Sequence, residues 1–284
     1  MRLHDYLDRI GGPACPEVHP GERPSLQVNA LGADVETLRR LHAAHRETFL
    51  FENLTIQTGG RISLALEDLQ RKFLDDRRGG YCFEHNTLFA AALRDLGFAP
   101  ITQLGRVRRG PPDRWCRTHM VLRIPIGPGD PGDKEVWMAD VGFGSIGLIE
   151  PMPLRDGATS VQGGFEYALR REDHLWILSM RDAASTMDLY EFSEDPQTPW
   201  DVEVANHFTS THPDSVFRRT LTIQRTGRDE RVVLRNDVIT RYRDGRTADE
   251  ALERDRLHAA AHDLFGITLP DGPFVFDSYV ATTS

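Results

Sequence analysis

The sequence predicts an α+β protein built from three consecutive regions, at 1–97, 98–203 and 204–284. Two observations carry this. Apolar residues recur at the roughly 3.6-residue spacing of a helix up to about Pro100 and then switch to the period of 2 that marks strands. After about residue 204, short strands give way to a closing helix. No repeat, low-complexity tract or flexible linker separates the regions, so they are expected to pack on one another.

The first region reads as helices with turn-rich connections. Leu3, Tyr6, Leu7 and Ile10 form one apolar face before Gly11-Gly12-Pro13 breaks it, and Val35, Leu38, Leu41 and Ala44 form another after an Asp34 cap. Leu66, Leu69, Gln70 and Phe73 continue the pattern. The aromatic and acidic stretch Thr48 to Leu54 is expected to be a loop. A lone buried Glu52 would be costly, so it is predicted to pair with Arg78. From Asn86 to Leu96 the pattern is helical, with Leu88, Ala92 and Leu96 on one face and Gly97 as the stop.

In the second region, Ile101–Leu104, Thr118–Ile124, Glu135–Val141, Phe165–Leu169, Leu175–Ser179 and Met187–Phe192 read as strands joined by Pro/Gly-rich loops such as Pro125 to Gly132. Many short strands at regular spacing predict a small barrel or sandwich. In the third region, Thr220–Gln224, Arg231–Leu234 and Val238–Tyr242 read as strands, and Ala248 to Phe265 as a helix ended by Gly266.

Bulk properties narrow the function. A formal net charge of −9 argues against a nucleic-acid or anionic-membrane partner. Cys15, Cys82 and Cys116 are too few and too scattered for a disulfide framework, which fits a reducing compartment. The first residues lack the apolar core of a signal peptide, and no apolar run is long enough to span a membrane. A cytoplasmic protein is expected.

The chemistry centres on Arg78-Gly79-Gly80-Tyr81-Cys82-Phe83-Glu84-His85-Asn86. Cys82 falls in the first turn of a helix, where unpaired N–H groups and the dipole favour an anion, so its thiol is expected to ionise more readily than a free one. Gly79 and Gly80 leave room for close backbone approach. A single cysteine is more commonly buried and inert; a base and an orienting carboxylate make it a candidate nucleophile. His119 and Asp140, on strands predicted to be neighbours, are the candidates, because cross-strand side chains meet at short range. A competing reading takes Cys82-x-x-His85 and Cys116-x-x-His119 as a Cys2His2 zinc site in a non-catalytic interaction protein. Against it, His85 would lie on a regular helix and His119 within a strand.

The same residues carry a resemblance. The Arg78–Asn86 motif, Thr118-His119-Met120-Val121-Leu122, Asp140-Val141-Gly142-Phe143-Gly144 and Ser210-Thr211-His212-Pro213-Asp214-Ser215, with Phe51-Glu52-Asn53-Leu54, together resemble the arylamine N-acetyltransferase family, in family order. The resemblance implies a helical first domain, a β-barrel second domain and an α/β third domain acting as a lid, around a cysteine-protease-like Cys-His-Asp core. It implies a triad of Cys82, His119 and Asp140 that carries an acetyl group from acetyl-CoA, through an acetyl-cysteine, to an arylamine, hydrazine or N-hydroxyarylamine. No metal is expected.

By resemblance, Phe51, Tyr81 and Phe143 line the acceptor pocket and Thr118, Phe208 and His212 lie beside CoA, while the Gly142-Phe143-Gly144 turn can bring backbone near the pantetheine. Five arginines and one acid between Arg106 and Arg117 form a basic patch that suits CoA phosphates. The chain departs from the family pattern at Leu50, where many relatives have proline, and at Arg109, where an aromatic residue is common. Pro125 to Gly132 also lengthens the connection between His119 and Asp140. An amide synthase acting on a polyketide would share all these residues, and a monomer or homodimer is expected.

Overall fold

A computed structural model of the chain describes residues 1–11, 31–130, 132–182, 185–243 and 246–277. Gly12, Pro13, Cys15 and Pro131 therefore lie outside the described residues.

In the first region, α1 (Leu3–Gly11) buries Tyr6, Leu7 and Ile10. Helix α2 (Val35–Thr48) starts at Asp34, whose carboxylate accepts from the Thr37 N–H at 2.8 Å, as the sequence predicted. The short α3 (Leu54–Gln57) and α4 (Leu66–Gln70) follow, the latter running on through a π-type turn at Arg71–Asp75. Helix α5 (Cys82–Asp95) ends at Leu96 and at Gly97, whose φ of 87° needs glycine. Phe49, Phe73, Leu88, Phe89 and Leu93 fill the core between these helices, and Leu122, Ile124 and Trp137 of the second region close it.

The second region is an antiparallel, nearly closed eight-stranded barrel. Its strands are β2 (Ile101–Val107), β3 (Arg117–Ile126), β4 (Glu135–Ala139), β5 (Met152–Pro153), β6 (Ala158–Gln162), β7 (Phe165–Glu172), β8 (Leu175–Arg181) and β9 (Thr186–Ser193). They run in the order β5-β4-β3-β2-β9-β8-β7-β6, and the end strands β5 and β6 touch. Val121, Met138, Phe165, Tyr167, Trp176 and Tyr190 pack inside. The six predicted strands are present. The sequence missed β5, only two residues long, and β6, whose Thr-Ser centre is weakly apolar.

The third region adds α6 (Pro199–Thr211), α7 (Val216–Arg219), β10 (Thr222–Thr226), β11 (Glu230–Arg235), β12 (Val238–Arg243), β13 (Arg246–Ala251) and α8 (Leu257–Phe265). Two expectations need correction. The predicted loop at Thr48–Leu54 contains a strand, β1 (Phe51–Glu52), which pairs Phe51 with Gln224 and heads a five-stranded sheet β1-β10-β11-β12-β13. The predicted helix at 248–265 begins only at Leu257, because Ala248 pairs with Arg241 across a β12–β13 hairpin. Local helix formers yield there to a cross-strand partner. Gly266 closes α8 at φ 64° as expected. Helix α6, not foreseen, is capped by Thr198 and Asp201: Thr198 N–H donates to the Asp201 carboxylate at 2.7 Å and Asp201 N–H to Thr198 Oγ1 at 3.2 Å.

Candidate active site

The turn before α5 is laced against β1. Gly80 N–H donates to Leu50 O at 3.2 Å and Glu52 N–H to Gly80 O at 2.8 Å. A Cβ at Gly79 would lie 1.7 Å from Leu50 O, so glycine is required. Glu52 is fully buried and pairs with Arg78 at 2.8 Å, as expected. Its second oxygen accepts from Leu54 N–H at 2.6 Å. Glu84 accepts from Tyr81 N–H at 3.1 Å and from Lys72 at 2.7 Å. Burial still leaves its carboxyl above the ordinary range, although Lys72 pulls it down. The head of α5 is thus fixed from both sides.

Cys82 is only 3% exposed. It packs among Phe51, Ile56, Tyr81, Phe83, Leu104, Met120 and Ala205, with Phe217 and Val202 beside them. Its Sγ donates to Thr118 O at 3.7 Å, so the sulfur lies against the residue preceding His119. The expected easy ionisation is not found. Burial pushes the Cys82 thiol well up, and the Asp140 charge adds to this, against hydrogen bonds from the Met120 and Phe83 backbone. Removing water from the sulfur outweighs the helix dipole, so this thiol needs a proton acceptor at hand.

His119 Nε2 lies 2.7 Å from Asp140 Oδ2, and both residues are buried. The β3–β4 register pairs Leu122 with Ala139. Continued by one residue, it sets Asp140 opposite Val121, so His119 and Asp140 are diagonal rather than facing neighbours. Burial opposes ionisation of Asp140, but His119 together with donors from Asn86 and from Gly142 N–H outweigh it and hold the carboxyl well below its usual range. Asp140 Oδ1 takes Asn86 Nδ2 at 3.1 Å and Gly142 N–H at 2.9 Å. Phe143 packs edge-on to the His119 ring at 5.0 Å, and Tyr190 is tilted against it at 4.7 Å.

The loop after Asp140 is held by groups the sequence did not single out. Buried Arg46 donates to Val141 O, Gly144 O and Thr226 Oγ1, and buried Arg231 donates to Ser145 O at 2.5 Å and to Tyr167 Oη at 3.1 Å. Burial, with the Arg231 cation nearby, lowers the Arg46 guanidinium to about 10. His42 Nε2 accepts from Asp140 N–H at 3.1 Å, which leaves Nδ1–H to donate to Ile149 O at 2.7 Å. Gln224 Oε1 accepts from Ser145 N–H at 2.6 Å. The signal available in the sequence was polar residues, His42, His45 and Arg46, recurring at helical spacing beside the apolar face of α2.

The other predicted residues fall as follows. Phe51 and Tyr81 belong to the apolar group around Cys82 and both contact Phe217, at 6.0 and 5.3 Å between centroids. Tyr81 Oη donates to Asn206 Oδ1 on α6. Gly142 packs on the helix head, where a Cβ would lie 2.7 Å from Cys82 Cα, and Gly144 has φ 84°. Thr118 lies at the sulfur through its carbonyl. Phe208 and His212 stack on each other at 4.4 Å at the end of α6, outside the apolar group around Cys82. In the basic patch, Arg108 pairs with Asp188 at 2.5 Å and Glu191 at 2.9 Å. Arg109 and Arg114 pair with no carboxylate among the described residues. The zinc arrangement does not fit: both His85 nitrogens are engaged, Nδ1 with His45 at 2.9 Å and Nε2 with Leu50 O at 3.0 Å.

A family profile described as N-acetyltransferase matches residues 34–274, which makes the chain an acyltransferase. It is 35% identical to an arylamine N-acetyltransferase / N-hydroxyarylamine O-acetyltransferase of Salmonella typhimurium over 84% of each chain. Among solved structures it is similar to the Nocardia farcinica arylamine N-acetyltransferase, with TM-score 0.81 and 36% identity over 95% of this chain and 90% of that one. It is also similar to the Mycobacterium marinum arylamine N-acetyltransferase in complex with CoA, with TM-score 0.80 and 31% identity over 93% and 92%. The chain belongs to the arylamine N-acetyltransferase family.

Proposed function

We propose that this protein is an acetyl-CoA-dependent arylamine N-acetyltransferase that works by ping-pong acyl transfer through Cys82. The observation that carries the reading is the 2.7 Å bond between His119 Nε2 and Asp140 Oδ2, beside the Thr118 carbonyl that accepts the Cys82 thiol. With Nε2 committed to Asp140, Nδ1 is the nitrogen that takes a proton. The Cys82 proton moves to His119 as sulfur attacks the thioester carbonyl. The bond from carbonyl carbon to the CoA sulfur breaks, and CoA leaves with the proton from the imidazolium. An arylamine, hydrazine or N-hydroxyarylamine then attacks the acetyl-cysteine, His119 takes its proton, and Cys82 leaves and is reprotonated. A positioned acid/base of this kind supplies roughly 10² to 10⁴ in rate. The raised Cys82 fits this route, since the proton leaves sulfur only as a partner accepts it.

The aromatic surroundings of Phe51, Tyr81 and Phe143 suit a flat acceptor ring. We read the three units 1–97, 98–203 and 204–284 as nucleophile domain, barrel and lid. The chain's few cysteines support a cytoplasmic setting, and among the described residues no helix is long and apolar enough to cross a membrane. Gly142, Gly144, Thr118, Phe208 and His212 are assigned to the pantetheine end of CoA, and Arg109 and Arg114 to its phosphates.

The test is acetyl-CoA-dependent loss of small arylamines and hydrazines by the purified protein, read alongside an acetylated Cys82 by mass spectrometry. Acceptance of a polyketide substrate with no transfer to any small amine would favour amide synthesis instead. Replacing Arg109 and Arg114 by alanine should raise the KM for acetyl-CoA and leave that for the amine unchanged.

A further inference from the structure

Asn86 belongs to the motif that opens α5 but takes no part in the chemistry above. It is fully buried. It stands one turn beyond Cys82, so the two side chains leave the helix on the same face. Its Nδ2 donates to Met120 O at 2.9 Å and to Asp140 Oδ1 at 3.1 Å, while its Oδ1 accepts from Val141 N–H at 3.2 Å. The amide cannot be turned over, because that would set one N–H against another at Val141. One side chain therefore ties the helix that carries the sulfur to the residue after His119, to the Asp140 carboxylate and to the backbone beyond it.

We propose that Asn86 is a positioning residue of the acyl-transfer site. It sets the distance between the Cys82 helix and the His119–Asp140 pair, and it holds the carboxylate so that Oδ2 faces His119. This rests on the assignment of Cys82, His119 and Asp140 as the reacting and orienting groups. Without Asn86, Oδ1 retains only the Gly142 N–H, and the carboxylate loses its direct tie to the helix that carries the sulfur. A displacement of about 1 Å in such a site costs on the order of 10² in rate. The charged and titratable groups that face Asp140 are His119 on β3, Cys82 at the head of α5, His42 and Arg46 on α2, and Tyr190 on β9.

The experiment compares wild type with Asn86→Ala and Asn86→Asp in acetyl transfer, in Cys82 alkylation by iodoacetamide and in Tm, each across pH. Asn86→Ala should lower kcat about 10²-fold with little change in the acceptor KM. In Asn86→Asp the introduced carboxyl faces Asp140 Oδ1. At low pH a shared proton replaces the lost N–H, and as pH rises two like charges oppose each other. The ratio of variant to wild type, in kcat and in alkylation rate alike, should therefore fall as pH rises. Both variants lying within about twofold of wild type would overturn the proposal, as would a loss in Asn86→Asp that is equal at every pH and tracks a lowered Tm. Failure of both variants to fold would also overturn it, by assigning Asn86 to structure alone. A wild type that transfers no acetyl group would sink the functional reading instead, and alkylation would still report on Asn86.

Discussion

His119 and Asp140 meet at 2.7 Å although they stand 21 residues apart and are not facing partners in the β3–β4 ladder. Asp140 reaches His119 because it has just left strand β4, where its backbone N–H turns to His42 instead of to a strand. The Asp140 carboxylate is therefore presented by a loop held by the buried side chains of Asn86, Arg46, Arg231 and Gln224.

Replacing Asp140 by asparagine should lower kcat/KM by about 10³-fold or more, because an amide can present N–H to Nε2 and force the other tautomer. Steady-state kinetics with a folded variant check this. A loss below tenfold would mean that Asp140 does not set the tautomer.

Cys82→Ala and Cys82→Ser should fold as the wild type does and transfer no acetyl group. Intact-mass spectra after exposure to acetyl-CoA should show the adduct in wild type only. Turnover by a folded variant would contradict the nucleophile assignment.

Gly142→Ala should reduce both activity and stability. Its Cβ would lie 2.7 Å from Asn86 Nδ2, 2.7 Å from Cys82 Cα and 2.8 Å from Cys82 O, all in a packed interior. Overpacking of this kind costs about 1–3 kcal/mol. Urea unfolding measures the stability loss, and an unchanged midpoint with full activity would show that the helix head gives way freely.

Acid should destabilise the fold through its buried histidines. Burial is the largest cause in each case: it takes His42 from 6.5 to about 4, takes His85 from 6.5 to about 3, and holds His45 well below 6.5. These groups bind protons more readily unfolded than folded, so stability is fully present above 6.5 and declines as pH falls through the window down to about 4 for His42 and about 3 for His85. Urea midpoints across that range should fall with pH. Replacing His42 by glutamine should flatten the slope.

Arg231→Leu should cost about 3 kcal/mol, since it strands the Ser145 and Gly147 carbonyls and the Tyr167 hydroxyl that the guanidinium serves. Thermal unfolding reads this directly. A neutral result would mean that the loop finds other donors.

Much of the local structure was legible. The Asp34 cap, the Gly97 and Gly266 stops, the Glu52–Arg78 pair and the position of Cys82 at a helix head all follow from rules acting over a few residues or from the cost of an isolated buried charge. Strand β1 and strand β13 were not legible, because each is created by a partner elsewhere in the chain. Arg46, Arg231, His42 and Asn86 escaped for the same reason. They bond mainly to backbone groups far away, and although His42 and Arg46 recur at helical spacing, that spacing does not name the partners they meet.

By itself the sequence determined most of the helices of the first region, six of the barrel strands, several caps and stops, and which sulfur, imidazole and carboxylate are available, since periodicity, capping and turn chemistry act over a few residues. Only the tertiary structure decided that the sulfur is shut away from water and so made harder to ionise. It also decided that the carboxylate meets its histidine on a diagonal and that two buried arginines hold the loop between them. Desolvation and long-range hydrogen bonds depend on which surfaces meet, and that is settled only when the regions pack.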